Sequence, residues 1–118
     1  MPLPARQFRL TSPRQISGMF ETGARVTNGR MLLLGEPNGL PFSRMAVAVG
    51  QRHGKAVQRN RVKRLCREAF RSIRDRMPPG WDVVMVPRAR PDHAVGNLAE
   101  GLLSLTQRLE AGRPKSSP

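Results

Sequence analysis

The chain predicts an α+β domain of order α-β-β-α-β-α, and three observations carry that prediction. Two long stretches, about residues 56–77 and 94–109, repeat apolar residues at the helical period. Three shorter runs, Val26 to Leu34, Arg44 to Gly50 and Asp82 to Val86, have strand length and strand composition. Firm breakers separate them, notably Pro37-Asn38-Gly39 and Pro78-Pro79-Gly80. A length of 118 residues suits one domain around one core.

Residues 1–11 are expected to be irregular. Ser12 then begins a short helix of about ten residues. Ser12 suits the N-cap, Pro13 the first helical position, and Gln15 the capping-box position. Ile16, Met19 and Phe20 form its apolar face, and Gly23 its stop. Val26 to Leu34 is read as one strand, or as two if it bends. After a turn over Gly35 to Pro41, Arg44 to Gly50 alternates in size: Met45, Val47 and Val49 point one way, Ala46, Ala48 and Gly50 the other. The small-residue face either admits a helix or leaves room for something to lie against the sheet.

Gln51 to Lys55 is a basic loop, and a cationic helix follows to about Met77. Val62, Leu65, Cys66, Ala69, Phe70, Ile73 and Met77 make its apolar stripe. Asn60, Arg64, Arg67, Arg71 and Arg74 project from the other side, with Lys63 nearby. Asp82 to Val86 is read as a buried strand. Val95, Leu98, Leu102, Leu105 and Leu109 make a second amphipathic helix, weakened by Gly101 by roughly 1 kcal/mol. Residues 110–118 are expected to be a disordered tail, which leaves 12–109 as the domain.

Charge points to the partner. Lys and Arg number 21 against 8 acids, a formal charge of +13. That charge repels itself unless a polyanion neutralises it. Arg, which grips phosphate with two prongs and stacks on bases, predominates; Lys occurs only at 55, 63 and 115. Nucleic acid is the expected partner.

Little suggests catalysis by the chain itself. The acids are spread thinly, without the convergent carboxylates of a two-metal nuclease. His53 falls in the basic loop and His93 near the start of the last helix, both expected to be exposed or, for His53, on a phosphate. No phosphate loop ending in Lys-Ser/Thr and no Cys/His zinc spacing occurs. Cys66 belongs to the apolar stripe. The start lacks a secretory apolar region, and no run is long enough to span a membrane, so a cytoplasmic protein is expected.

The string Lys55-Ala56-Val57, then Arg59-Asn60-Arg61, Lys63-Arg64, Arg67-Glu68 and Phe70, closely resembles the RNR signature of the bacterial ribonuclease P protein component. The frame around it, from about residue 8 to 109, is similar too: a first helix ending in Phe20, Asn38-Gly39 between strands, and Asp82 to Arg88 after the basic helix. The resemblance implies a small two-layer α-β sandwich of order αβββαβα with a left-handed βαβ crossover, an exception to the usual hand. It implies a part in tRNA 5′ maturation. The catalytic RNA would perform magnesium-dependent hydrolysis, with Mg2+ bound mainly through RNA, and the protein would raise affinity for precursor tRNA and for metal. No membrane and no protein partner are implied.

Carried over by position, Arg59, Asn60, Arg61, Lys63, Arg64 and Arg67 would contact the catalytic RNA, with Arg71 on the same helix and Arg52 and Lys55 before it. A cleft between the first helix and the sheet would take the single-stranded 5′ leader, at Ile16, Phe20, Leu34, Ala46 and Ala48. Where the family often has aromatics, this chain has Ile16, Met31 and Leu34, which leaves Phe20 as the main stacking ring. Family members often carry Ser and Lys where Ala48, Gly50 and Gln51 stand. Two rival readings are a ribosomal-type RNA-binding protein and a helix-turn-helix DNA reader using residues 59–76. The Pro-Pro-Gly stop and following strand oppose the second.

Overall fold

The computed structural model describes residues 5–112. The helices are α1 (Pro13–Thr22), α2 (Ala56–Ile73) and α3 (Val95–Ala111), and the strands are β1 (Ala24–Thr27), β2 (Met31–Pro37), β3 (Arg44–Val47) and β4 (Trp81–Pro87). The order is αβββαβα, and the sheet runs β1-β2-β4-β3. β2 pairs antiparallel with β1 and β4, while β3 and β4, joined through α2, are parallel neighbours.

The segment Val26 to Leu34 folds into a hairpin because Asn28-Gly29-Arg30 breaks it. The Asn28 side-chain oxygen accepts from the backbone N–H of Arg30 at 2.8 Å and of Met31 at 2.9 Å, closing a local turn. Gly101, expected only to weaken α3, faces this turn. A Cβ there would lie 2.9 Å from Asn28 Nδ2 and 3.0 Å from Met31 Cε, so the glycine lets the hairpin approach the helix. β2 also runs on through Gly35, Glu36 and Pro37, into the turn expected over Gly35 to Pro41.

Strand alternation sorts the core into two clusters. Met31, Leu33, Met45, Val83 and Met85 meet Val62, Cys66, Ala69, Phe70 and Ile73 of α2 and Leu98, Leu102, Leu105 and Leu109 of α3. Leu34 and Val84, on the opposite face, meet Leu10 and Met19. The sheet and the α2/α3 pair thus form the sandwich, and α1 lies across part of the outer sheet face. Burial pushes the Cys66 thiol up to about 12, which keeps it inert.

Several boundaries differ from expectation. Ala5–Phe8 is a turn of 3-10 helix, and Leu10 N–H donates to the Met45 carbonyl at 2.9 Å beyond a bridge from Arg9 to Met45. Phe8 and Leu10 are buried, so the domain begins before residue 12, and the segment shields the β3 edge. At the other end, α3 continues through Glu110, whose carboxylate accepts from Trp81 Nε1; the rest of the expected tail, 113–118, lies outside the described residues. α2 stops at Ile73 and passes into a 3-10 turn, Arg74–Arg76.

Ser12 caps α1 as expected, accepting from Gln15 N–H at 3.2 Å. The Gln15 side chain does not reach back to complete a capping box. It donates instead to Asp82 at 2.6 Å and Glu36 at 2.8 Å. His93 is likewise buried, not exposed. Its Nε2–H donates to the Arg88 carbonyl at 2.6 Å, and its ring stacks on His53, centroids 6.4 Å apart. His53 Nε2–H donates to the Pro87 carbonyl at 2.8 Å, so the pair ties the loop before α2 to the loop after β4.

Candidate nucleic-acid interface

The cations of α2 have no internal counterions. Among the described residues the ion pairs are Arg30–Asp92, Arg44–Asp82 and Arg90–Asp92, none of them on this helix. Asn60, Arg64, Arg67 and Arg71 are exposed, with Arg59 and Lys63 half-buried beside them. At 100° per residue these six share an arc of roughly 140°. Arg59 Nε is buried without a hydrogen-bond partner. Arg61 is exposed but turns to the other flank of α2, near Arg52, His53 and Gln58, so the RNR triplet is split between two flanks. Arg52 and Lys55 are exposed at the helix N-terminus, where Gln58 Oε1 accepts from Lys55 N–H at 2.8 Å. Arg74 does not project with the others. Its guanidinium lies over the Phe8 ring, 3.9 Å from the centroid.

The second region is the outer sheet face. Ile16, Ala46 and Ala48 are half-buried at the margin of the α1 cluster, and Phe20 is 36% exposed. Leu34 is fully buried beneath α1 with Met19 and Val84, so it supports the cleft and cannot touch an occupant. Its place on the open surface falls to Leu32 and Val86. With Ala48 they line an open hollow of about 640 Å³ rimmed by Arg52 and Arg88. Leu32 and Val86 were missed because the runs Met31 to Leu34 and Asp82 to Val86 are apolar on both faces and carry no alternation.

Asp82 anchors this face from below. It is 1% exposed, yet it holds Arg44 through two bonds of 2.8 and 2.7 Å and accepts from Asn38 at 2.9 Å and Gln15 at 2.6 Å. Burial alone would raise its pKa, but Arg44, Asn38 and Gln15 together hold its carboxyl below the usual range. Its oxygens are therefore committed. Among the described residues no group of three or more His, Cys, Asp or Glu is placed to hold a metal ion.

The sequence model of the family described as Ribonuclease P matches residues 4–110. The chain belongs to the ribonuclease P protein family. It is 34% identical over 110 residues to the ribonuclease P protein component of Thermotoga petrophila, covering 89% of this chain and 94% of that one. The protein component of Ectopseudomonas mendocina is 38% identical over 112 residues, covering 92% and 83%. The solved ribonuclease P protein of Thermotoga maritima superposes with a TM-score of 0.76 at 32% identity, over 85% of this chain and 96% of that one. The chain is thus a protein subunit of ribonuclease P, part of an endoribonuclease that matures tRNA 5′ ends. Membership implies the ribonuclease P RNA as its partner. Among the described residues, no helix is long and apolar enough to cross a membrane.

Proposed function

We propose that the two surfaces divide the work of the subunit. The α2 face, with Arg52, Lys55, Arg59, Asn60, Arg61, Lys63, Arg64, Arg67 and Arg71, grips the catalytic RNA. The outer sheet face beside α1, with Ile16, Phe20, Ala46 and Ala48, takes the single-stranded 5′ leader of precursor tRNA. The observation that carries this reading is the contrast between them: an unpaired cationic helix face, and a separate apolar strand surface floored by small residues. Structured RNA is met through its phosphates, whereas an extended single strand needs a surface that its bases can lie on. In this reading the catalytic Mg2+ is held mainly through RNA.

Reconstitution tests it. The purified protein alone should leave precursor tRNA uncut, yet restore cleavage by the catalytic RNA at low magnesium. Absence of that rescue would overturn the reading in favour of a general RNA binder.

The leader cleft has its own test. Phe20→Ala should weaken precursor binding by about 1–3 kcal/mol, the range of one stacked base, and leave mature tRNA binding unchanged. Equal losses for both would remove Phe20 from the cleft.

A further inference from the structure

An open pocket of about 400 Å³ lies between the C-terminal half of α2 and the segment before α1. Arg9, Arg64, Arg67, Arg71 and Arg74 line it, with Glu68 as the wall's carboxylate. Phe8 forms its back. That ring is only 7% exposed, and Phe42 and Phe70 meet it edge-on at centroid distances of 5.4 and 6.4 Å. The Arg74 guanidinium carbon lies over it, 3.9 Å from the centroid, and lines the pocket beside it.

We propose that this pocket takes one unpaired nucleotide of the catalytic RNA, its base stacked on Arg74 and its phosphates held by the neighbouring arginines. The inference deepens, and rests on, the reading that α2 grips that RNA. Small-molecule sites begin at about 300 Å³, so the space suits a nucleotide. Guanidinium planes stack on splayed bases much as aromatic rings do. Phe8 holds the plane in place before binding, which lowers the ordering cost. Five cations against one carboxylate give the pocket the sign of a phosphate site. Glu68 adds an acceptor for a base N–H.

The test separates stacking from charge. Holoenzyme is reconstituted with Arg74→Lys, Arg9→Ala, Arg61→Ala and Arg76→Ala, the last an exposed arginine of the same turn outside the pocket. Arg74→Lys keeps the charge and removes the plane. It should weaken binding of the catalytic RNA about five- to 150-fold, the range of one stacked base, with an unchanged salt slope. Arg9→Ala should lower the salt slope by about one, and Arg76→Ala should change affinity less than about twofold. Base-reactivity probing of the RNA should show one unpaired position protected by the wild-type protein and exposed with Arg74→Lys. Wild-type affinity for Arg74→Lys, together with a weakened Arg61→Ala, would overturn the nucleotide pocket and leave the reading of α2 standing. Wild-type affinity for both would overturn the two together.

Discussion

Asp82→Ala should destabilise the domain by about 3 kcal/mol or more, measured by urea unfolding, since breaking a buried ion pair typically costs about 3–5 kcal/mol. The substitution removes the acceptor for four hydrogen bonds, from Arg44, Asn38 and Gln15, at a site that is 1% exposed. Arg44 keeps 30% of its side chain exposed and can turn toward water, which places the loss near the lower bound. The double variant Asp82→Leu with Arg44→Met should recover most of it, because an apolar pair of similar volume replaces a buried ion pair at little cost. The pH dependence has a definite sign. The native carboxyl is held below the ordinary value of 3.8, so its stabilisation is complete above that value and lost as pH falls through the native pKa. The stability gap between wild type and Asp82→Asn should therefore close on acidification below about pH 4. A gap that is constant with pH, or a loss under about 1 kcal/mol for Asp82→Ala, would remove the network from the stability of the fold.

Asp82 also shows where the sequence stops being legible. Reading the acids as a thin scatter says nothing of partners at 15, 38 and 44, which only the sheet register and the seat of α1 bring together. α2 and α3 were legible because several turns of one periodic stripe determine which face is buried. The hairpin at Asn28 was only half legible: Asn28-Gly29 is a turn pair, but the flank before it, Ala24 to Thr27, is too short and polar to read as a strand of its own. Leu34 and Leu32 have the same chemistry and differ only in whether α1 covers them, so the sequence motif named the buried one for the leader. His93 looked exposed because nothing local shows that His53, forty residues earlier, stacks on it. Arg74 has the spacing of the cationic face, yet Phe8, from a segment expected to be irregular, draws it aside. Apart from the local turn at Asn28, each miss is a contact between segments distant in sequence.

The α2 face itself carries the largest expected functional effect. Replacing Arg64, Arg67 and Arg71 together with Ala should lower the salt slope of catalytic-RNA binding by about three, one for each phosphate no longer neutralised. Counterion release makes each contact worth about one log unit at 50 mM salt, so affinity there should fall about a thousand-fold, and the loss should shrink toward 1 M. All three side chains are exposed on a helix anchored by Val62, Cys66, Ala69, Phe70 and Ile73, so stability should change little. That separation makes the measurement decisive, because a folding defect would lower affinity at every salt concentration by the same factor. Salt-independent loss would mean that the arginines shape the helix and do not bind phosphate. An unchanged slope would mean that the RNA does not dock on this arc of α2, and would leave the contact to the Arg52 and Arg61 flank, with Arg90 beside it. Arg61 reports on the other flank of the same helix: adding Arg61→Ala to the triple variant should lower the slope by about one more.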